Sequence, residues 1–350
     1  LHDALPIFIF GKDGLKPGVI KMFLDPFHLS CPSDSSGTPP TNTNETDTQR
    51  GYDHSTTTRW MRRFVSAGLE RTVQDRRSLS ILTTLYGPPG WMTQQGFLRG
   101  RDLDPACKPD LVQYLASWAQ YLKQEGLPIH YVGLHNEGED HVRWPDDASK
   151  PMWEDGHDYN MYWSPELVKE IIPQLREELD KEGLSDVGVA PGETTNWFRF
   201  LEWGYANAIA DDPKALSALG LITSHGFLST NGRWFGDTRS DGIDLLREKR
   251  LELHAWSTSA SWSNMDVHFL AELRHNIYGS KVNAIIPWAC LQSEGHWKKG
   301  DPNPGTAFRV DGKGNYRIEP GYWFYKQVSR AGQPGMGVCR ATCNDTQLPL

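Results

Sequence analysis

The segment GLPIHYVGLHNEGEDH, residues 126–141, decides the fold because it contains one complete buried strand and the polar turn that follows it. The apolar run 129–134 ends abruptly at His135, Asn136 and Glu137, and the chain then becomes acidic. A short apolar run of this kind is typical of a strand that is buried on both faces of a parallel sheet. Polar residues directly after such a strand lie where parallel α/β folds keep their chemistry.

Apolar runs and helical patterns alternate along most of the chain. Helices are predicted at 55–70, 109–125, 164–183, around 196–211, and at 242–249. Strands are predicted within 18–29 and at 79–86, 129–134, 186–190, 219–225, 251–256 and 283–289. This alternation predicts a parallel sheet with helices outside it, and the number of units favours an α/β fold of the (β/α)₈ TIM-barrel type. A doubly wound open sheet is the alternative, but no G-x-G-x-x-G follows the first strands.

The two ends of the chain are expected to lie outside this barrel. Residues 1–7 are interpreted as a non-native leader, 8–335 as the catalytic barrel, which is expected to be truncated at its N-terminus, and 336–350 as a tail or the start of a truncated β-sandwich. Residues 308–318 predict a β-hairpin with an Asp-Gly-Lys-Gly turn.

Composition excludes several classes of protein. A net charge of −8 argues against an extended nucleic-acid or anionic membrane surface, and no apolar run reaches the roughly 20 residues of a membrane helix. The five cysteines have neither the spacing of a zinc site nor that of a disulfide framework. We expect a monomer without a cofactor or metal.

The residues at the carboxyl ends of the predicted strands should meet at one mouth of the barrel. They include carboxylates, histidines, an asparagine and aromatic side chains: Tyr86, Trp91, His135, Asn136, Glu137, Glu193, His225, Trp256, Trp288 and Glu294. Fourteen tryptophans in 350 residues are many, and their flat faces suit sugar rings. Trp91, Trp256, Trp288 and Trp297 are the candidates for stacking, although Trp256 and Trp288 sit so close to strands that core packing is the alternative.

This set of residues suits the cleavage of a glycosidic bond, which needs one carboxylic acid to protonate the leaving oxygen and a second carboxylate as nucleophile or base. Glu137, at the lip of an apolar strand, is the predicted general acid/base. Asn136 is predicted to bind a sugar hydroxyl. The alternatives are a simple cap or turn, and a metal cluster of His135, Glu139 and His141.

The sequence also resembles clan A glycoside hydrolases, especially family 30. The likeness is carried by ILTTLYGPPGWM (81–92), the helix after it, GLPIHYVGLHNEGE (126–139) and YWFYKQVSRAGQPGMGV (322–338). It implies a TIM barrel in which Glu137 is the acid/base and Asn136 its sugar-binding neighbour, with His225 at the mouth on the sixth strand. It also implies a secreted or extracytoplasmic enzyme that acts on a β-linked oligo- or polysaccharide.

One departure from the family pattern concerns the nucleophile. The resemblance implies a glutamate at the end of the seventh strand, where HAWSTSASW (254–262) has Ser259, and Glu252 lies at the wrong end of that strand. Glu294 and Glu193 are the candidate partner carboxylates, and a wide separation from Glu137 would favour inversion. Pairing of either with a cation such as Arg233 or Lys298 is the structural alternative. A catalytically silent carbohydrate-binding barrel is the competing function, and a metal-dependent hydrolase is a third.

Overall fold

A computed structural model describes residues 4–24, 52–96, 100–140, 160–227, 239–261, 267–293 and 306–339. The helices of eight residues or more in these ranges are α2 (Arg59–Gln74), α3 (Lys108–Gln124), α4 (Pro165–Lys181), α8 (Asp241–Lys249), α9 (Val267–Arg274) and α10 (Pro320–Ala331). The shorter ones are α1 (Ala4–Phe10), α5 (Trp197–Glu202), α6 (Tyr205–Ala210) and α7 (Pro213–Ala218). None of the helices in these ranges is long and apolar enough to span a membrane.

Ten strands are described, and seven of them are parallel and alternate with the helices. These seven are β1 (Val19–Leu24), β2 (Ser80–Leu85), β3 (Ile129–Gly133), β4 (Gly188–Ala190), β5 (Ile222–Ser224), β6 (Ala255–Ser261) and β7 (Ala284–Trp288). Strands β1 to β4 form one parallel sheet in chain order, and β5 to β7 form another. Parallel bridges from Val189 to Leu219 and from Thr194 to Ser224 join the two sheets. The predicted α/β barrel is therefore confirmed, with seven barrel strands among the described residues.

The remaining strands form a small separate sheet. They are β8 (Leu291–Ser293), β9 (Phe308–Val310) and β10 (Tyr316–Ile318), in the order β10-β9-β8. The antiparallel pair β9–β10 confirms the predicted hairpin. Its turn is held by Asp311, whose carboxylate accepts hydrogen bonds from the backbone of Lys313 and Asn315.

Side-chain alternation explains how the barrel is filled. An inner layer packs around Leu82, Ala190, Leu221 and Trp256 inside the ring of strands. A larger apolar core, which includes Trp118, lies between the strands and the helices. The helix that carries Trp118 buries one apolar face, as its 3.6-residue spacing predicts.

Several predicted boundaries differ from those of the structure. Helix α2 begins at Arg59 rather than 55, because Asp53 holds the preceding residues in a turn through the backbone of Ser55 and Thr56. The helix expected around 196–211 is interrupted by Gly204, whose φ of 91° ends one helical segment before the next. The strand expected at 251–256, as the seventh of eight, lies at Ala255–Ser261 and is β6 among the described strands, so Ser259 is within the strand. Residues 4–10, which overlap the expected leader, form α1 and bury Phe10.

Candidate active site

Two carboxylates of the mouth, Glu137 and Glu193, follow the neighbouring strands β3 and β4. The pairing of these strands continues beyond their ends: Glu137 N–H donates to Glu193 O at 2.7 Å, and Glu193 N–H donates to His135 O at 2.7 Å. Glu137 has a φ of 45°, a left-handed conformation that is unfavourable for a residue with a side chain. This backbone ladder fixes Glu137 in that conformation, and both side chains are almost fully buried.

The imidazole of His225, which follows β5, lies between the two carboxyl groups. Its Nδ1 is 3.0 Å from Glu137 Oε1, and its Nε2 is 3.2 Å from Glu193 Oε2. His225 is 3% exposed, so both contacts are shielded from bulk water.

Glu193 is held by cations and hydrogen bonds from other strands. Its Oε2 forms an ion pair with Lys21 of β1, and its Oε1 accepts a hydrogen bond from Thr84 Oγ1 of β2 at 3.0 Å. Burial raises the pKa of Glu193, but the charge of Lys21 and the hydrogen bond and charge of His225 outweigh it and lower the pKa to about 2. Glu193 is therefore ionised at neutral pH.

The pKa of His225 is shifted in the opposite direction to that of Glu193. Burial lowers its pKa, but hydrogen bonds and charges from Glu137 and Glu193 outweigh this effect and raise the pKa above its ordinary value. In the imidazolium form both ring nitrogens donate, which matches two carboxylate neighbours.

Asn136 and His135 lie beneath the carboxylates. The Asn136 amide is 1% exposed and its Nδ2 donates to Asn160 Oδ1 at 3.5 Å. The His135 ring stacks on Trp163 at a centroid distance of 5.7 Å, and its Nδ1 accepts the backbone N–H of Gly138 at 3.2 Å. Burial lowers the pKa of His135 to about 3, so the ring is neutral. The sugar-binding roles of Asn136 and His135 stay predictions.

Aromatic side chains occupy the side of the mouth formed by β1 and β7. Phe23 contacts Tyr86 and Trp288 edge-on, at centroid distances of 4.9 and 5.7 Å. All three line a cavity of about 1370 Å³ that also reaches Lys21. Tyr86 and Trp288 are thus brought together as predicted mouth residues, and their stacking on a sugar stays a prediction.

Of the other predicted tryptophans, Trp256 lines the same cavity, but its ring packs on a different residue. Trp256 is 7% exposed and packs on Tyr131 inside the barrel, at a centroid distance of 5.0 Å. Trp91 is half-buried in the turn after β2, and its indole Nε1 makes no hydrogen bond with the described residues. Trp297 and the candidate carboxylate Glu294 lie outside the described residues.

Glu139 belongs to a separate buried network. Its Oε1 accepts hydrogen bonds from Thr195 N at 2.8 Å and from Arg199 Nη1 at 2.9 Å, which ties the turn after β3 to the turn after β4. Within the described ranges no three His, Cys, Asp or Glu side chains are grouped so that they could hold a metal ion. His141 of the alternative metal cluster lies outside those ranges.

The residue at the expected nucleophile position, Ser259, contacts Lys21. A β-bulge between Ser257 and Ala260 interrupts the pairing of β6 with β7, and Lys21 Nζ donates to Ser259 Oγ at 3.3 Å. Sequence reasoning did not find Lys21, Thr84 or Phe23. The signal for Lys21 was a single charged residue inside the apolar strand VIKMFL.

Comparison with solved structures identifies the class of barrel. The chain is similar over 94% of its length to SrfJ from Salmonella typhimurium, with 13% identity, a TM-score of 0.69 and 69% of that chain covered. It is similar over 98% of its length to the endo-β1,6-glucanase BT3312, with 15% identity, a TM-score of 0.65 and 75% of that chain covered. The catalytic domain of GH30 xylanase C from Talaromyces cellulolyticus gives 15% identity, a TM-score of 0.62, and coverage of 94% of this chain and 70% of that one.

The fold is accordingly that of the TIM-barrel glycosidases, and at these identities the likeness establishes the fold alone. No protein-family model matches the sequence, and no curated protein matches it.

Proposed function

We propose that this protein is a glycoside hydrolase that cleaves a β-linked oligo- or polysaccharide outside the cytoplasm. The observation that carries the proposal is the array Glu137–His225–Glu193 at the carboxyl ends of β3, β4 and β5. Two buried carboxylates with different environments are what acid-catalysed glycoside cleavage requires.

Glu137 is the proposed general acid/base. The His225 ring, with its Nδ1 3.0 Å from Glu137 Oε1, fixes the plane of the Glu137 carboxyl group, which in its protonated form delivers a proton to the leaving oxygen. The low-dielectric surroundings strengthen this interaction, because both side chains are shielded from water.

Glu193 is the proposed partner carboxylate. It is ionised, and its negative charge stabilises the positive charge that develops at the anomeric carbon. Glu193 acts either as the nucleophile or as the base that takes a proton from the attacking water, and the anomer that is formed first distinguishes these two reactions.

Polar atoms in and beside the mouth support a sugar ligand. Among the described residues, Trp91 Nε1 is a buried donor and Gln292 Oε1 a buried acceptor without a hydrogen-bond partner. Gln292 lines the same cavity as Tyr86 and Trp288. Unpaired buried polar atoms beside aromatic faces are satisfied by a ligand that carries both hydroxyl groups and apolar ring faces.

The test is hydrolysis of a panel of β-linked glycans. Because two similar structures are a xylanase and an endo-β-1,6-glucanase, the panel begins with β-xylan and β-1,6-glucan. We expect release of reducing ends, and the anomer formed first in ¹H NMR spectra distinguishes inversion from retention. Saturable binding without turnover of any glycan would instead identify a silent carbohydrate-binding barrel, and loss of activity with a chelator would identify a metal-dependent hydrolase.

A further inference from the structure

Lys21 is a buried charge on a strand whose other residues are apolar. It lies in the middle of β1, and alternation along the strand directs Val19, Lys21 and Phe23 into the barrel. The Lys21 side chain is 4% exposed. Burying an ammonium group costs several kcal/mol unless it is paired, so its partners define why it is there.

The partners of Lys21 come from opposite sides of the barrel. Its ammonium donates to Glu193 Oε2 beyond β4 and to Ser259 Oγ of β6, the latter at 3.3 Å. The rings of Phe23 and Tyr86 lie 5.5 and 5.6 Å from the nitrogen, within the range of cation–π attraction. The ammonium is thus held on the floor of the mouth by strands that are remote in sequence.

Ser259 is a neutral neighbour of the Lys21 ammonium, so it does not compete with Glu193 for this cation. A carboxylate at this position would compete with Glu193 for the ammonium, whereas a hydroxyl leaves Glu193 as the only anion bound to Lys21 among the described residues. The position expected for a nucleophile is therefore occupied by a neutral group, and the cation beside it is directed to Glu193.

We propose that Lys21 is a positioning residue: held between Ser259 and Glu193, it keeps the Glu193 carboxylate fixed against His225 and thereby aims His225 at Glu137. The catalytic consequence rests on the proposed glycosidase function, but the electrostatic arrangement does not depend on it.

The groups that face Glu193 are few. Lys21 approaches from β1, Thr84 from β2 and His225 from the end of β5, while the neutral ring of His135 lies beneath. Glu137 faces the far side of His225. Lys21 is the one fixed cation among these described neighbours, because His225 itself titrates.

The first test measures the Glu193 carboxyl group directly by ¹³C NMR, with the signal assigned by its loss in Glu193→Gln. In the wild-type protein it should remain ionised well below its ordinary pKa of 4.5. In Lys21→Met the midpoint should rise by at least about one pH unit, since a neighbouring opposite charge shifts a pKa by about 1–3 units. Lys21→Arg should keep the low midpoint, and Ser259→Ala, which removes only the neutral partner, should leave it unchanged.

The second test is the pH dependence of kcat/KM. Loss of activity on the acid side should begin at least about one pH unit higher in Lys21→Met than in Lys21→Arg. A wild-type Glu193 that titrates near 4.5 would overturn the proposal, and this result does not depend on glycosidase activity. Equal midpoints in Lys21→Met and wild type would also overturn it. The protein could cleave no glycan and still show a low midpoint for Glu193 that rises in Lys21→Met. That result would support the role of Lys21 and reject the glycosidase function.

Discussion

The two ends of the barrel strands use the same residue types for different purposes. At the amino ends, Gly126 and Gly183 follow helices with φ values of 76° and 71°, and a Cβ added to either would meet nothing within 4 Å. At the carboxyl ends, Gly192 follows β4 with a φ of 107°, and its Cβ would lie 2.2 Å from the His135 ring. Gly226 follows β5 and is equally close to Ser257 Oγ, at 2.3 Å. The amino ends therefore need glycine for local backbone reasons, and the carboxyl ends need it also for close packing.

The ion pairs at the amino and carboxyl ends of β4 differ in how far they are exposed to solvent. Before β4, Asp186 pairs with Lys123 at 3.1 Å, and their side chains are 70% and 46% exposed. After β4, Glu193 pairs with Lys21 where both side chains are at most 4% exposed. One strand thus carries a solvated ion pair at one end and a desolvated one at the other.

The largest expected effect is on activity. Glu137→Gln keeps the shape and the hydrogen-bonding capacity of the side chain but removes the transferable proton, so kcat should fall by about 10²–10⁴-fold. Glu182→Gln, at the amino end beyond α4, is the matched control and should keep wild-type kcat. Steady-state kinetics and calorimetric glycan binding would be measured for both. Unchanged turnover in Glu137→Gln would show that the chemistry lies elsewhere.

The next effect is on stability. Glu193→Gln leaves Lys21 buried without its anion and should lower the free energy of unfolding by about 3–5 kcal/mol. Asp186→Asn, at the other end of the same strand, should cost less than about 1 kcal/mol because its ion pair is solvated. Urea titrations of both variants test this difference, and equal losses would contradict the contrast between the two ends.

The stability difference should also depend on pH. The pKa of Glu193 is lowered from its ordinary 4.5 to about 2, so its stabilising contribution is present above pH 4.5 and is lost as the pH falls towards 2. The difference between wild type and Glu193→Gln should therefore narrow across this range.

The smallest expected effect concerns the glycines. Gly192→Ala adds a Cβ against the His135 ring in an unfavourable conformation, and should destabilise the protein by about 2 kcal/mol or more. Gly126→Ala adds only the conformational cost, about 1 kcal/mol. Thermal unfolding of the two variants compares them directly. If Gly126→Ala were the more destabilising, close packing at the carboxyl ends would not be the reason for Gly192.

Local patterns were sufficient for most of the barrel. The strand β3 and the helices α3 and α4 were predicted to within about two residues, because apolar periodicity and C-terminal glycines are local signals. The position of Glu137 at a strand end followed from the same reasoning.

Strand β6 shows where local patterns fail. The run LELHAW drew the prediction to 251–256, yet Leu251 is 86% exposed and the strand continues through the hydroxyl-rich Ser257 to Ser261. The hydroxyl groups of Ser257 and Thr258 are buried and bond to the neighbouring strand β5 and its end, as Ser257 Oγ does to His225 O at 2.6 Å. No sequence window contains both partners.

The sequence by itself determined the order of strands and helices and the placement of Asn136, Glu137 and His225 at strand ends, since periodicity and strand termination are properties of neighbouring residues. Only the tertiary structure decided that His225 bridges Glu137 and Glu193. It also decided that Lys21, 172 residues from Glu193, supplies the charge that keeps this carboxylate ionised. The physical reason is that a pKa and an ion pair depend on distance in space and on burial, which are set only when the barrel brings its strand ends together.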